Sequence, residues 1–159
     1  MGYRVGFSKD IHRLVYGSEL ILAGVHIPHW QGLLAHSDGD VVYHAVAESI
    51  LGALALGDLG KHFPDTSEET KDMDSSIIVS KVVEMMNNLS YRVENIDVFL
   101  SCEQPKLKPH IEQMRNNIAK LLEVDINQVS VKAGTNEMMG PVGRMEAIEA
   151  YSQILLYKE

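Results

Sequence analysis

The spacing of apolar residues along the chain predicts strands that alternate with helices. A two-residue alternation of apolar and polar positions, typical of a half-buried strand, marks four segments at about Tyr3–Ser8, Tyr91–Cys102, Gln128–Thr135 and Ala147–Tyr157. A further extended segment, Glu19–Ile27, ends at Pro28. We expect loops at Lys9–His12, directly after the first strand, and in the stretch rich in His, Gly and Asp that ends at Asp40.

Three other segments show the three- and four-residue spacing of apolar positions that is typical of an amphipathic helix. The first runs from about Asp38 to Leu56, with Ser37 or Asp38 as the predicted N-terminal cap. The second starts near Asp74, and the third begins near Pro109, since proline is well tolerated in the first turn of a helix.

Strands interleaved with helices predict an α+β fold, a two-layer α/β sandwich. We expect a mixed four-stranded sheet with three helices on one face. Residues 1–159 contain no repeat, low-complexity tract or linker, and a chain of this length can bury its own core, so we predict a single domain. The other face of the sheet is free to pack against another subunit, which predicts an oligomer.

Composition narrows the class of protein. The net charge of -8 argues against a nucleic-acid binder, because such proteins usually present a basic face to phosphate. No apolar run approaches the roughly 18 residues of a membrane span, and the N-terminal residues lack a signal or transit pattern. We therefore expect no membrane contact and a cytoplasmic location. The single cysteine, Cys102, fits a reducing compartment, and its alternating surroundings favour a packed strand residue over a nucleophile.

Two polar clusters carry candidate chemistry. Asp10 and His12 are two residues apart, so in an extended segment they point to the same side. Asp40 and His44 are four residues apart and share one face of a helix. A carboxylate with two imidazoles is a recurring ligand set for a catalytic zinc, whose fourth position is open to water or substrate. The spacing alone leaves a second interpretation open, in which these side chains are packed or solvated.

The start of the first helix suits a phosphate. Free N–H groups and the positive end of the helix dipole meet near Ser37–Asp40, although the same side chains could equally serve as a cap. Further polar residues follow the predicted elements, at Asp58, Phe63-Pro64-Asp65, Lys106 and Glu137, and each taken singly is more typical of a solvated loop. The chain has no P-loop, no GxGxxG, no CxxC pair and no Gly-x-Ser-x-Gly elbow, which excludes several standard enzyme classes.

Taken together, these motifs resemble the 2-C-methyl-D-erythritol 2,4-cyclodiphosphate synthase family. The matching segments follow the family's order: Asp10-Ile11-His12-Arg13, Gly32–Asp40 with His44, Leu56–Lys61, Phe63–Thr66, Asp74-Ser75, Gln104–Lys106 with Pro109–Ile111, Val131–Ala133, Glu137 and Gly143-Arg144. The resemblance implies that 4-diphosphocytidyl-2-C-methyl-D-erythritol 2-phosphate is converted to 2-C-methyl-D-erythritol 2,4-cyclodiphosphate and CMP in the non-mevalonate isoprenoid pathway. It also implies a homotrimer whose sheets pack around a threefold axis, with active sites between neighbouring subunits.

The same resemblance implies a role for each matching residue. Zinc would be bound by Asp10, His12 and His44, and Mg²⁺ or Mn²⁺ by Glu137 with the substrate phosphates; these four residues and His36 would be the catalytic ones. His36 and Ser37 would hold phosphates. The methylerythritol part would contact Asp58, Gly60, Phe63 and Asp65. The cytidine and its phosphates would contact Cys102, Pro105, Lys106, Leu107, Ala133 and Thr135. A cavity on the threefold axis that can take a prenyl diphosphate would be lined by Arg144 and Glu146.

Parts of the chain depart from the family pattern. Gly134 lies in a stretch that is usually rich in Thr and Ser, Lys9 replaces an apolar residue, and the stretch 134–147 as a whole is atypical. Two other functions therefore stay open. One is a non-catalytic trimer that binds isoprenoid diphosphates, and the other is a metal-dependent phosphohydrolase with Asp40 as the base that activates water.

Overall fold

The main sheet has five strands. The computed structural model describes residues 2–159, in which strands lie at Gly2–Tyr16 (β1), Leu20–Leu22 (β2), Val25–Ile27 (β3), Gln31–Leu34 (β4), Arg92–Ser101 (β5), Val129–Gly134 (β6) and Ala147–Lys158 (β7). The five-stranded sheet has the order β4-β1-β7-β5-β6, and β2 pairs with β3 separately. β5 and β6 are parallel, while the other neighbours are antiparallel. The predicted α+β class and mixed sheet are therefore confirmed.

The predicted number of four strands was wrong, and so was the predicted loop at Lys9–His12. β1 continues through these residues to Tyr16 and pairs with β7 from Gly2 to Arg13. Its last four residues pair with β4, which adds the fifth strand at the edge. The row of apolar residues Tyr3, Val5 and Phe7 lies on the exposed face and stops at Lys9 of that face, but the backbone ladder with β7 still holds the strand.

Three long helices form the second layer, as predicted. The helices lie at Val41–Ala53 (α1), Leu59–His62 (α2), Ser75–Asn88 (α3), Ile111–Leu122 (α4) and Gly140–Gly143 (α5). α1 packs on β1 and β7, α4 packs on β6, and α3 contacts both α1 and α4. None of the helices in residues 2–159 is long and apolar enough to cross a membrane.

The first helix starts later than predicted because Asp40 is its cap, rather than Ser37 or Asp38. The Asp40 carboxylate accepts a hydrogen bond from the N–H of Tyr43. It also accepts from Ala23 and Gly24, in the turn of the β2–β3 hairpin. Both turn residues have positive φ, so Glu19–Ile27 reverses direction here and is not one extended segment. One buried carboxylate thus joins the hairpin to the start of α1.

α1 lies unusually close to β1 because small residues meet between them. A Cβ placed on Gly6 of β1 would lie 1.8 Å from the carbonyl oxygen of Ser49 in α1, far inside contact distance. Only glycine therefore permits this approach. The close approach brings the helix that carries His44 against the strand that carries Asp10 and His12.

The opposite face of the sheet carries a row of apolar side chains beside the ion pairs Lys9–Glu149 and Lys132–Asp97. Phe7 of β1 is 63% exposed, and its ring centroid lies 6.5 Å from that of Tyr151 in β7. The Tyr151 ring in turn lies 6.4 Å from that of Phe99 in β5. Val5 and Ile11 of β1 are also exposed. An apolar surface that crosses three strands is typical of a face that packs against another protein chain.

Candidate metal centre and active site

Asp10, His12 and His44 meet at one point, as the family resemblance implied, whereas spacing alone had paired only Asp10 with His12. The Asp10 Oδ2 atom lies 3.1 Å from His12 Nε2 and 3.4 Å from His44 Nδ1. The two imidazole nitrogens lie 3.3 Å from each other. Asp10 and His12 come from the helix-facing side of β1, and His44 comes from the first turn of α1.

These distances fit a tetrahedral metal ion. Ligands placed tetrahedrally about 2.0–2.1 Å from a zinc ion lie about 3.3 Å apart, and the three observed separations run from 3.1 to 3.4 Å. The mixture of one oxygen and two imidazole nitrogens suits zinc and other first-row transition metals. Three protein ligands leave a fourth position for a substrate oxygen, which is the arrangement of a catalytic rather than a structural site.

The hydrogen bonds of His12 orient it as a metal ligand. Its Nδ1 atom lies 3.0 Å from the carbonyl oxygen of Gly39. Because a carbonyl can only accept, Nδ1 carries the proton of the neutral ring and Nε2 presents its lone pair to Asp10 and His44. An acceptor behind the ring that fixes its tautomer in this way is a common feature of histidine metal ligands.

The pKa values of Asp10 and His12 are also shifted in the directions that favour positive charge at this point. Burial alone would raise the pKa of Asp10, but hydrogen bonds and charge from His12 and His44 hold that pKa well below its usual range. Burial alone would lower the pKa of His12, but the hydrogen bond and charge of Asp10 outweigh it and raise that pKa. A bound cation supplies the same charge without a proton.

The ligand set opens into a cleft of about 360 Å³. Of the predicted site residues, the cleft brings together Asp10, His12, His36, Ser37, His44, Gly60, Phe63 and Asp65. His36 is held in place because its Nε2 atom donates to the carbonyl of Ser67, 3.1 Å away. Asp58 is not part of the lining, since its side chain caps α2 by accepting from the N–H of Lys61.

The sequence analysis missed two polar residues of this cleft, Glu48 and Thr70. Glu48 lies on α1 one turn after His44, and its carboxylate accepts a hydrogen bond from the N–H of Leu59 at 3.2 Å. It therefore supports the start of α2, which forms one wall. The four-residue spacing from His44 was the available signal, since residues at that spacing share one face of a helix.

A second group of predicted residues lies elsewhere in the chain, around the C-terminal ends of β5 and β6. It consists of Cys102, Pro105, Lys106, Leu107, Ala133, Thr135 and Glu137, none of which lines the cleft. The two strands are parallel, so their ends meet at one edge of the sheet. The N–H of Cys102 donates to the carbonyl of Gly134 there. Burial raises the pKa of the Cys102 thiol to about 12, which agrees with the prediction that it is not a nucleophile.

Glu137 lies in a turn that the carboxylate of Glu103 stabilises. Glu103 accepts hydrogen bonds from the N–H groups of Asn136 and Met138, at 3.0 and 3.2 Å. Glu137 and Met138 both adopt positive φ, which costs energy for side-chain-bearing residues and needs such support. The turn presents the Glu137 side chain to solvent. Further along this atypical stretch, Arg144 is exposed and pairs with Glu146 at 3.1 Å.

Asp40 has no access to the metal ligands and cannot serve as the base of a phosphohydrolase. It is fully buried, and both of its carboxylate oxygens accept backbone N–H groups. Burial raises its pKa to about 6 despite these bonds. The role of this residue is to join elements of the fold.

Of the two interpretations of Ser37–Asp40, as a phosphate site or as a cap, the hydrogen bonds of the three N–H groups after Ser37 favour the cap. The N–H of Asp38 donates to the carbonyl of Met73. The N–H groups of Gly39 and Asp40 donate to the side chains of Ser37 and Asp38. The N–H groups of Asp38, Gly39 and Asp40 are therefore satisfied within the protein, and Asp40 serves as the cap of α1.

The fold and the open ligand set are consistent with an enzyme built on a two-layer α+β sandwich, with a group of side chains that could hold a metal ion. The chain belongs to the YgbB family, which it matches over residues 3–157. It is 51% identical to the 2-C-methyl-D-erythritol 2,4-cyclodiphosphate synthase of Nostoc sp., over 98% of this chain and 94% of that protein. It is 49% identical to the enzyme of the same name from Geobacillus sp., over 99% of both chains. The solved complex of Plasmodium falciparum IspF with CDP has a TM-score of 0.88 and 34% identity, and covers 99% of this chain and 97% of that one. The family resemblance of the motifs is thus confirmed.

Proposed function

We propose that this protein converts 4-diphosphocytidyl-2-C-methyl-D-erythritol 2-phosphate to 2-C-methyl-D-erythritol 2,4-cyclodiphosphate and CMP. The observation that carries the proposal is the ligand set of Asp10, His12 and His44, which opens into a cleft that also holds His36 and Ser37. Relatives named for this product match almost the whole chain. Their coverage also supports residues 1–159 acting as one synthase domain.

The reaction needs no protein nucleophile. An oxygen of the substrate's own 2-phosphate attacks the β-phosphorus of the diphosphate and forms the new P–O bond. The bond between that phosphorus and the oxygen bridging to the α-phosphate breaks, and CMP leaves with that oxygen. The attacking phosphate is already largely ionised near neutral pH, so no strong base is required. The buried, protonated thiol of Cys102 agrees with this scheme, since it is not available for attack.

The protein's task is therefore to align two anionic groups. Asp10, His12 and His44 would hold a divalent ion, which we propose to be zinc, and such an ion would supply charge neutralisation and Lewis-acid polarisation of a phosphate. His36 and Ser37 line the same cleft and would orient the phosphates with a ring N–H and a hydroxyl. Holding reacting groups in line in this way is worth about 7–11 kcal/mol in favourable cases.

We propose that the methylerythritol part lies against α2 and the segment after it. Gly60, Phe63 and Asp65 line the cleft there, and Asp58 fixes the start of α2. The Asp65 carboxylate suits a sugar-like hydroxyl, because a carboxylate is a strong acceptor for O–H donors.

The cytidine end of the substrate needs the second group of residues. We propose that the residues around Cys102–Leu107, with Ala133 and Thr135, bind the cytidine and its phosphates, and that Glu137 holds Mg²⁺ or Mn²⁺ with the diphosphate. Lys106 is exposed and positively charged, which suits a phosphate. This group does not line the cleft of its own chain, so a neighbouring subunit is the natural source of it.

A homotrimer with shared active sites satisfies this requirement. The exposed apolar row of Phe7, Tyr151 and Phe99 supports a sheet face buried between subunits. The exposed guanidinium of Arg144 is the proposed contact for an anion such as a prenyl diphosphate in a cavity on the threefold axis.

Phosphorus NMR of the metal-loaded protein with substrate and Mg²⁺ tests the reaction. We expect CMP and a cyclic diphosphate in equal amounts, and a loss of more than about 100-fold for His44→Ala. His26→Ala is the matched control, because His26 is exposed and pairs with Glu19 outside the cleft. A folded protein that binds zinc without turnover would refute the synthase and favour a binding protein. Release of free phosphate without cyclisation would instead favour a phosphohydrolase.

Mixing two inactive variants tests whether sites are shared between subunits. In randomly mixed trimers of His44→Ala and Glu137→Ala, a shared site is intact when each neighbour supplies the residue that the other lacks. We then expect about one quarter of wild-type activity. If each site lies within one chain, the mixture stays inactive.

A further inference from the structure

We propose that Asp38 and Ser75 position His44 for metal binding, through a hydrogen-bonded chain that decides which imidazole nitrogen faces the metal. The His44 Nε2 atom lies 3.0 Å from Ser75 Oγ, and Ser75 Oγ donates to Asp38 Oδ1 at 2.5 Å. The inference rests on the metal site of the proposed function and assigns a role to two residues outside the ligand set.

The direction of the chain follows from what each group can donate. An ionised carboxylate only accepts, so the single hydroxyl proton of Ser75 goes to Asp38. Ser75 Oγ can then only accept from His44, which places the ring proton on Nε2. The lone pair of His44 Nδ1 is therefore directed at Asp10 and His12, at 3.4 and 3.3 Å.

Asp38 is well fixed as the far end of this chain. Its Oδ2 atom accepts the N–H of Ser75, and its Oδ1 atom also accepts the N–H of Asp40, both at 3.1 Å. Its own N–H donates to the carbonyl of Met73 at 3.1 Å. The carboxylate thus ties the loop before α1 to the start of α3, and it holds Ser75 in one orientation.

Ser75 is a positioning residue because it cannot touch the substrate. It is fully buried and does not line the cleft. Ser37 Oγ also lies near His44 Nε2, at 3.1 Å, but Ser37 lines the cleft and is free to contact a phosphate. The two hydroxyls therefore have different roles. Ser75 positions His44 from the side of the ring away from the metal, whereas Ser37 faces the cleft.

Both histidine ligands then have an acceptor behind the ring. For His12 it is the carbonyl of Gly39, and for His44 it is Ser75 backed by Asp38. The two acceptors turn opposite nitrogens toward the metal, Nε2 of His12 and Nδ1 of His44. Removing such an outer acceptor typically lowers metal affinity about 10- to 100-fold.

Metal affinity, measured without turnover, tests the inference. Zn²⁺ and Co²⁺ affinities are determined by competition with a chromogenic chelator for the wild type, Ser75→Ala and Ser75→Thr. We expect Ser75→Ala to bind about 10- to 100-fold more weakly, with an altered Co²⁺ absorption spectrum, and Ser75→Thr to recover most of the affinity because it keeps the hydroxyl. The control is Ser80→Ala, which removes an exposed hydroxyl from the same helix and should match the wild type.

A measurement on the wild type covers the case in which a Ser75 variant does not fold. Nitrogen-15 NMR of the zinc-loaded protein should show the His44 ring with its proton on Nε2. A proton on Nδ1, or a Ser75→Ala affinity equal to that of Ser80→Ala, overturns the proposal while leaving the metal site in place. A wild type that binds no metal would instead refute the metal site of the proposed function.

Discussion

Gly6→Ala is the substitution that most directly connects the packing of this fold to its metal site. The added Cβ would lie 1.8 Å from the carbonyl oxygen of Ser49 and 2.9 Å from the Cβ of Ala53. A backbone carbonyl in the middle of α1 cannot rotate away, so the helix or the strand must shift by about 1.5 Å to restore van der Waals contact.

The cost of that shift can be estimated. Overpacking a core typically costs about 1–3 kcal/mol, and a clash with backbone places this variant at about 3 kcal/mol or more. The shift also separates His44 from Asp10 and His12, because these ligands lie on the two elements that are pushed apart. Metal–ligand distances tolerate only about 0.2 Å, so zinc affinity should fall at least about tenfold.

Urea unfolding and chelator competition measure the two effects. The control is Gly52→Ala at the same helix–strand interface, where the new Cβ meets only the carbonyl of Phe7 at an ordinary 3.8 Å. Alanine favours a helix interior over glycine by about 1 kcal/mol, so Gly52→Ala should stabilise the protein and leave zinc binding unchanged. A Gly6→Ala protein with wild-type stability and affinity would refute the argument, as would equal losses in both variants.

Three further outcomes follow from buried or exposed groups. Cys102 should react slowly with a thiol reagent at pH 8 in the folded protein and rapidly in urea, because burial raises its pKa to about 12; rapid labelling of the folded protein would contradict its burial. The pKa of Asp40 is raised to about 6 in the folded protein, above the roughly 3.9 of an unfolded chain. The stability that its protonation contributes is therefore complete below pH ~4 and is lost as the pH rises through ~6. The measurement compares the free energy of unfolding of metal-free wild type with that of metal-free Asp40→Asn at each pH. The difference, wild type minus variant, should fall by about 1 kcal/mol or more between pH ~4 and ~6, and a difference that does not change with pH would exclude the pKa shift. Phe7→Asp should reduce self-association in sedimentation, whereas Ile77→Asp, an exposed apolar residue of α3, should not; equal behaviour would show that the sheet face is not the interface.

Local patterns predicted most of the fold, and they failed where tertiary contacts decide the backbone. The three long helices and four of the sheet strands follow from apolar spacing. The strand across Lys9–His12 could not be recognised, because Lys9 interrupts the apolar row of the exposed face and the helix-facing positions carry the polar side chains of Asp10 and His12. β4 has only four residues, and it becomes a strand by pairing with the extension of β1.

In the candidate site, too, local patterns predicted some residues and tertiary contacts decided the others. Asp10 and His12 could be paired from their spacing, and His44 was a plausible third ligand. The hydroxyl of Ser75 lies 31 residues beyond His44, and its contact with that ring exists only because α3 packs beside α1. No local pattern contains such a contact. Asp40 was misjudged because a helix-start carboxylate can face a ligand or the core, and only the position of the β2–β3 hairpin decides between them.

The separation of the site residues into two groups predicts that metal binding and catalysis have different structural requirements. The metal ligands come from β1 and α1, their outer acceptors from the loop before α1 and from α3, and the cleft is lined by the same chain, so a single chain contains the parts proposed to bind a divalent ion and a phosphate. The residues proposed for the cytidine and for the second cation lie near the ends of β5 and β6, which the cleft does not include. Alignment of the attacking phosphate with the leaving group requires both groups at once. We therefore expect zinc binding to depend on the fold of one chain and turnover to depend on the proposed assembly.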